Sequence, residues 1–416
     1  MPRLTIEGGP SLNGSVSASG AKNAALPLLA ATLMMDGKTI LTNVPHLEDI
    51  RMMIRMLTNL GVHVEYQNNN MIHIWNKRKI KHIAPYELVT AMRASFFVAG
   101  PILAKTGYAK VPLPGGCLIG KRPVDIHLDG FKALGATVRL EHGFVGLTAS
   151  KLKGTLIRFP FPSVGATENI MMAACLAEGD TTIENAAREP EIEDLMNLLN
   201  QSGAKIKGGG TFSIHIQGVT SLQGVDNYPV ISDRVEVGTL LIAAAITGGD
   251  ITVKNVSFDP LRPLLNVLIE CGSNITSSGS SIRCAAPKQI VPVHIKTQPF
   301  PGFPTDMQAQ LMALLTLSNG VSTIEESVFE NRFMHVPELN RMGASIEING
   351  TVAHITGVSS LSGTEVKITD LRAGAALILA GLVAQGKTTV HGLKHLYRGY
   401  DNLPLKLASL GAKISP

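Results

Sequence analysis

The chain has 416 residues, 45% of them hydrophobic and 17% charged, and carries a formal net charge of +5. That balance excludes a disordered chain, the length exceeds one ordinary core, and the mild, scattered positive charge argues against a nucleic-acid binder. The longest apolar stretches, such as Ala375 to Ala384, run about ten residues and fall short of the roughly 18–20 of a membrane span.

The opening MPRLTIEGGP reads as a strand and a turn without the apolar centre of a signal peptide, so the protein is expected in the cytoplasm. Next comes SGAKNAALPLL, where Lys22 and Asn23 stand between a Ser-Gly turn and an apolar helix. Helix-start amides beside a lysine suit an anion. From here one pattern recurs six times: a small apolar run, a glycine and a short alternating strand. The copies are LLAATLMMDGKTILTNV, FVAGPILAKTGYAKVPL, MMAACLAEGDTTIENA, LLIAAAITGGDITVKNV, LMALLTLSNGVSTIEES and LILAGLVAQGKTTVHGL.

A charged amphipathic segment follows each copy and ends at a second glycine, in LGVHV, LGATV, SGAKI, CGSNI, MGASI and LGAKI. Ile50, Met53, Ile54, Leu57 and Leu60 show helical spacing before Gly61, which predicts a helix ended by a left-handed glycine and then a strand. Second glycines recur every 68–74 residues, so six units of strand, helix, strand, helix, strand and strand span the chain. Three units per domain give two domains, with NYPVISDRVEVG expected to open the fourth unit. The almost wholly apolar helices, such as AACLA and ALILAGLVA, are predicted to be buried on every side.

Departures from the repeat point to function. Five units have 23–25 residues between their two glycines, whereas the second has 28, and the excess lies in VPLPGGCLIGKRPVD. Cys117 sits in that insertion with Lys121 and Arg122 close behind, cations that favour a thiolate. Cys175, Cys271 and Cys284 lie in apolar patterns and read as small core residues. No Cys-x-x-Cys spacing suggests a metal or redox site.

Arg93, Arg122, Arg234, Arg372 and Arg398 occupy comparable turn-to-helix positions and would converge on phosphate or carboxylate groups if the repeats pack symmetrically. Asp306 in GFPTDMQAQ precedes the fifth apolar helix, as a cap, a site residue or both. The acidic run from Arg188 to Asp194 reads as a helix start; His127 and His335 fit surface, satisfied polar or site roles.

Together SGAKNAALP, MRAS, PGGCLIGKRPVDIH, PSVGAT, REPEI, SDRVEVGT, GFPTDMQAQ, ENRFMHVPEL, TDLRAGA and RGYDNL resemble the enolpyruvyl transferase family over essentially the full chain. The expected fold class is α/β, an inside-out α/β barrel of two similar domains, each of three βαβαββ units with buried helices. One spans 22–229 and the other 1–21 plus 230–416, with the active site in the cleft between them.

The resemblance implies transfer of an enolpyruvyl group from phosphoenolpyruvate to the 3-hydroxyl of UDP-N-acetylglucosamine, the first committed step of peptidoglycan precursor synthesis, without cofactor or metal. Lys22, Arg122 and Arg398 would hold phosphoenolpyruvate beside Asn23. Arg93, the run Arg122, Pro123, Val124, Asp125 and Ile126, the turn Ser163, Val164 and Gly165, and Val328 would bind the sugar nucleotide. Asp306 would deprotonate the hydroxyl, and Cys117 would donate a proton, form a covalent adduct and be the target of fosfomycin. Phe161 stands where some members have a lysine. The sister branch acting on shikimate 3-phosphate is disfavoured by Cys117 with GKRPVDIH, and a non-catalytic repeat scaffold leaves the Cys117 insertion and the position of Lys22 unexplained.

Overall fold

A computed structural model describes residues 3–67, 70–76, 79–113 and 124–416. Among these, the contacts divide the chain into two units, one within 20–231 and the other of 3–19 with 232–416, each with its own hydrophobic core.

Six sheets recur among the described residues, and their alternating burial has one cause. A strand such as Asp250–Lys254 turns Ile251 and Val253 onto a helix layer and leaves its other face wetter. In the fourth repeat this strand pairs antiparallel with Ser281–Ala285, which pairs with Asn274–Ser278, and it runs parallel to Asn13–Ser17. The third and fifth repeats have the same four-stranded order, with Leu156–Arg158 and His294–Lys296 as the parallel edge.

Each repeat contributes one helix with little polar surface: Lys22–Ala31, Ala99–Thr106, Val164–Ala174, Arg234–Ile246, Gln308–Leu315 and Leu371–Val383. Ala375 to Ala380 are wholly buried, and so are Leu240 to Ala244, which removes the wet stripe of an ordinary surface helix. Arg234–Ile246, Gln308–Leu315 and Leu371–Val383 pack on one another. Val164–Ala174 packs on both Lys22–Ala31 and Ala99–Thr106. Each fully buried leucine or isoleucine contributes about 1.5–3 kcal/mol, so these helices supply much of what offsets chain entropy.

The second helix of each repeat ends in one way. Gly61, Gly135, Gly203, Gly272, Gly343 and Gly411 have φ between 91° and 109°. The next amide reaches back into the last turn, as in Val62 N to Leu57 O and Ala136 N to Phe131 O. This closure satisfies carbonyls the helix would otherwise leave open, and a side chain there would be strained.

Among the described residues, the first, fourth and sixth repeats borrow strands from distant sequence, the fourth through Asn13–Ser17. Arg3–Glu7 pairs antiparallel with both Lys387–His391 and Lys413–Ser415, completing the sixth sheet. The stretch expected to open the fourth repeat does two things: its Tyr228–Pro229, like Leu222–Gln223 before it, runs parallel to Met35–Thr42 of the first repeat, and its Asp233 begins the fourth repeat's helix Arg234–Ile246. The reason is main-chain accounting, because among the described residues that edge of Met35–Thr42 has no other partner. Among the described residues, no helix is long and apolar enough to cross a membrane.

Candidate active site

The starts of the buried helices carry the candidate residues. In the unit that includes 232–416, Asp233 caps Arg234–Ile246 by accepting from Val235 N at 2.8 Å and Glu236 N at 3.2 Å. Asp370 caps Leu371–Val383 in the same way, accepting from Arg372 N at 2.8 Å and Ala373 N at 3.0 Å. Each cap satisfies two amides and stabilises its helix by about 1 kcal/mol.

Asp306 breaks this pattern. Pro304 takes the cap position of the turn Thr305–Met307, which leads into Gln308–Leu315, and no side chain caps either element. The capping role open from the sequence is therefore not made. The Asp306 carboxylate instead accepts from Arg332 Nη2 at 2.5 Å on Oδ1 and from Arg372 Nη2 at 2.6 Å on Oδ2. Both guanidinium groups are buried, while 27% of the aspartate side chain is exposed. Burial opposes the charge of Arg372, and Asp306, Tyr400 and Asp233 more than offset this, holding its pKa above the usual arginine value. The result is a partly exposed carboxylate held by two buried guanidinium groups.

The loop beyond is held by Glu326, which is 2% exposed. Its Oε1 accepts from Thr297 Oγ1, Val328 N and Phe329 N, and its Oε2 from Thr305 Oγ1 at 2.8 Å. Val328 and the Asp306 turn thus share one buried carboxylate. Arg398 ends the turn Leu396–Arg398 and is half-buried. Arg234 stacks over Phe300 at 5.6 Å.

In the unit within 20–231, Lys22 is the first residue of its helix and Asn23 is exposed. Lys22 Nζ lies 3.2 Å from Asp49 Oδ2, with the two side chains 14% and 4% exposed. Ser163 caps Val164–Ala174 through Ala166 N at 3.4 Å, so Val164 and Gly165 form the first helical turn. Asp125 and Ile126 open the helix Asp125–Ala133, with Val124 at its cap.

His127 follows them and faces that same turn. A Cβ added to Gly165 would stand 3.3 Å from His127 Cε1 and 3.3 Å from the Phe97 ring. Asn169 Oδ1 accepts from Gly100 N at 2.7 Å, which turns its amide nitrogen toward Phe96 O and His127 Nδ1 at 3.0 and 3.2 Å. Nδ1 therefore accepts, and the neutral ring carries its proton on Nε2. His335 is different: it is buried against the Met312 sulfur, and burial pushes its pKa down to about 4.

The Arg93 side chain, Cys117, Lys121, Arg122 and Pro123 lie outside the described residues. Cys175, Cys271 and Cys284 are buried with thiol pKa values pushed up to about 12 by burial, so they are inert core residues. Phe161 is 44% exposed. The run at Glu189 opens the helix Pro190–Gln201.

Sequence reasoning missed Asp49, Glu326 and Arg332. Arg332 lay inside a quoted segment, ENRFMHVPEL, without a role. Asp49 is an ordinary first-turn acid of the helix Glu48–Asn59 until the fold brings Lys22 to it.

The family described as EPSP synthase (3-phosphoshikimate 1-carboxyvinyltransferase) matches residues 6–407. A protein of Caldanaerobacter subterraneus subsp. tengcongensis named UDP-N-acetylglucosamine 1-carboxyvinyltransferase 1 is 54% identical over 413 residues, 99% of each chain. The chain belongs to the enolpyruvyl transferase family. A second relative, UDP-N-acetylglucosamine 1-carboxyvinyltransferase 2 of Carboxydothermus hydrogenoformans, is 54% identical over 416 residues, covering 100% of this chain and 99% of that one. Among solved structures, the enolpyruvyl transferase NikO from Streptomyces tendae superposes with a TM-score of 0.90 at 26% identity, over 99% of this chain and 98% of that one. An EPSP synthase from Acinetobacter baumannii, at 20% identity and a TM-score of 0.76 over the whole of both chains, shares the mixed α/β fold.

Proposed function

We propose that this enolpyruvyl transferase moves the enolpyruvyl group of phosphoenolpyruvate onto the 3-hydroxyl of UDP-N-acetylglucosamine and releases phosphate, at the entry to peptidoglycan precursor synthesis. Full-length identity of 51–54% to several proteins bearing that activity's name supports the choice of sugar nucleotide over shikimate 3-phosphate. The single structural observation that carries the chemistry is Asp306, held by two buried arginines and partly open.

In this reading Asp306 takes the proton of the attacking hydroxyl as its oxygen bonds to the central carbon of phosphoenolpyruvate. Cys117 delivers a proton to the methylene carbon, giving a tetrahedral intermediate. Loss of a proton from the new methyl group and departure of phosphate leave the enol ether. Lys22, Arg122 and Arg398, with Asn23, hold the phosphate and carboxylate, where fixed cations stabilise charge without reorganising. The sugar nucleotide is assigned to Arg93, Arg122, Pro123, Val124, Asp125, Ile126, Ser163, Val164, Gly165 and Val328.

The turn from Ser163 to Gly165 suits an anionic ligand because it is a helix start with no acid in its first turn. The same proposal extends to the inside-out α/β barrel for each group of three repeats, supported by helices buried on all sides, and to action in the cytoplasm. Fractionation of cells tests the location.

The deciding experiment measures phosphate release from phosphoenolpyruvate with UDP-N-acetylglucosamine or shikimate 3-phosphate as acceptor. Release is expected with the sugar nucleotide alone; release with neither would overturn the enzyme reading. Fosfomycin is expected to add its mass to the peptide bearing Cys117 and to none bearing Cys175, Cys271 or Cys284.

A further inference from the structure

Behind Asp306 lies a chain of buried polar groups that the proposed chemistry does not use. Gln310, on the first turn of Gln308–Leu315, donates from Nε2 to the Asp306 carbonyl at 3.0 Å and to Tyr400 Oη at 2.9 Å. The carbonyl can only accept, which fixes the nitrogen end of the amide. Tyr400 Oη lies 2.9 Å from Thr239 Oγ1, and Thr239 donates to Val235 O at 2.8 Å. Donors therefore run one way, from Gln310 through Tyr400 and Thr239 to the first turn of Arg234–Ile246. All three side chains are buried.

The chain returns to Asp306 by a second route. The Arg372 guanidinium lies over the Tyr400 ring at 5.7 Å and donates to the Asp306 carboxylate. Gln310 thus holds the aspartate's backbone, and Tyr400 carries one of the two cations that hold its side chain.

Among the described residues, Gln310 Oε1 and Arg372 Nη1 are buried without a hydrogen-bond partner. Such atoms cost stability, and an assembly serving only to stabilise the fold would satisfy them or replace them with apolar groups.

We propose that Gln310 and Tyr400 are positioning residues for Asp306, setting the carboxylate's place for proton abstraction without touching substrate. The inference rests on Asp306 being the base. A displacement of about 1 Å at a reacting group can cost on the order of a hundredfold in rate.

The test measures kcat, both KM values and the urea midpoint for Gln310→Leu, Tyr400→Phe and Asp306→Asn. Tyr400→Phe keeps the ring under Arg372 and removes only the hydroxyl, which guards against a folding failure of Gln310→Leu. We expect kcat to fall roughly 10–100-fold in Gln310→Leu and about 3–10-fold in Tyr400→Phe, with both KM values within about threefold. An unchanged kcat in Tyr400→Phe, or a KM rising as far as kcat falls in either variant, would overturn the positioning role while Asp306→Asn is inactive. Full turnover in Asp306→Asn would instead remove the base on which the inference rests.

Discussion

The two units treat the starts of their buried helices in opposite ways. In the unit with 232–416, Asp233 and Asp370 cap two of them, Glu236 adds an acid to one first turn, and Asp306 sits in the turn leading to the third. In the unit within 20–231, Lys22–Ala31, Ala99–Thr106 and Val164–Ala174 have no acid in their first turns. Each helix start carries about half a positive charge. One unit sets its own carboxylates at or beside these starts; the other has none in the first turns of its three. Similar repeats thus divide into a half suited to holding anions and a half suited to presenting a base.

Substitutions can break that division. The largest effect is expected for Asp306→Asn, which should lower kcat by roughly 10²–10⁴ with little change in the KM for phosphoenolpyruvate, the mark of a proton-transfer residue. A dominant rise in KM would assign Asp306 to binding. Lys22→Gln should act the other way round, raising the KM for phosphoenolpyruvate by about 10–100-fold in steady-state assays; an unchanged KM would remove the first helix start from the anion site.

Asp49→Asn sharpens the same half. Asp49 orients an ammonium on a four-carbon stem, so its loss should raise that KM by about 3–10-fold. A fall in KM would show that Asp49 competes with the substrate for Lys22.

The smallest effect on turnover, and a clear one on stability, concerns Asp194. It is buried and accepts from Tyr228 Oη at 2.8 Å, and burial pushes its pKa up to about 7. The folded state therefore keeps a proton that the unfolded chain releases near 3.8, and this contribution is lost as pH rises toward and through 7. Asp194→Asn should flatten that loss, stabilising the protein at pH 8 relative to pH 5 by at most roughly 3 kcal/mol in urea unfolding. His335 has the opposite sign: buried and neutral, it weakens the fold as pH falls from 6.5 toward 4. Equal pH dependence with and without the Asp194 carboxyl would dismiss its role.

Much of the fold was legible because each repeat obeys local rules. The helix before Gly61 follows from apolar spacing, and its left-handed end from the glycine. The family resemblance grouped 1–21 with 230–416, but the pairing of Arg3–Glu7 with Lys387–His391 was not legible, since no local pattern marks strands from opposite ends of the sequence as partners. The same limit applies to the candidate site. Lys22 and Asp306 stood out by their place in the repeat, but the partners of Asp306 come from positions 332 and 372. Arg372 was read as a cation waiting for an anion, and the anion it meets is a side chain of its own unit. Glu326 had no signature at all, because a buried glutamate in a strand-like run looks like any solvated one.

The borrowed strands also impose an order on biosynthesis. Among the described residues, the segment within 20–231 carries every strand of its own sheets, so its strand pairing waits on nothing made later. Arg3–Glu7 and Asn13–Ser17, made first, belong to sheets whose other strands are made later, and the sixth sheet closes only when Lys413–Ser415 arrives. Strands made before the 20–231 segment thus find their neighbours only after it is complete.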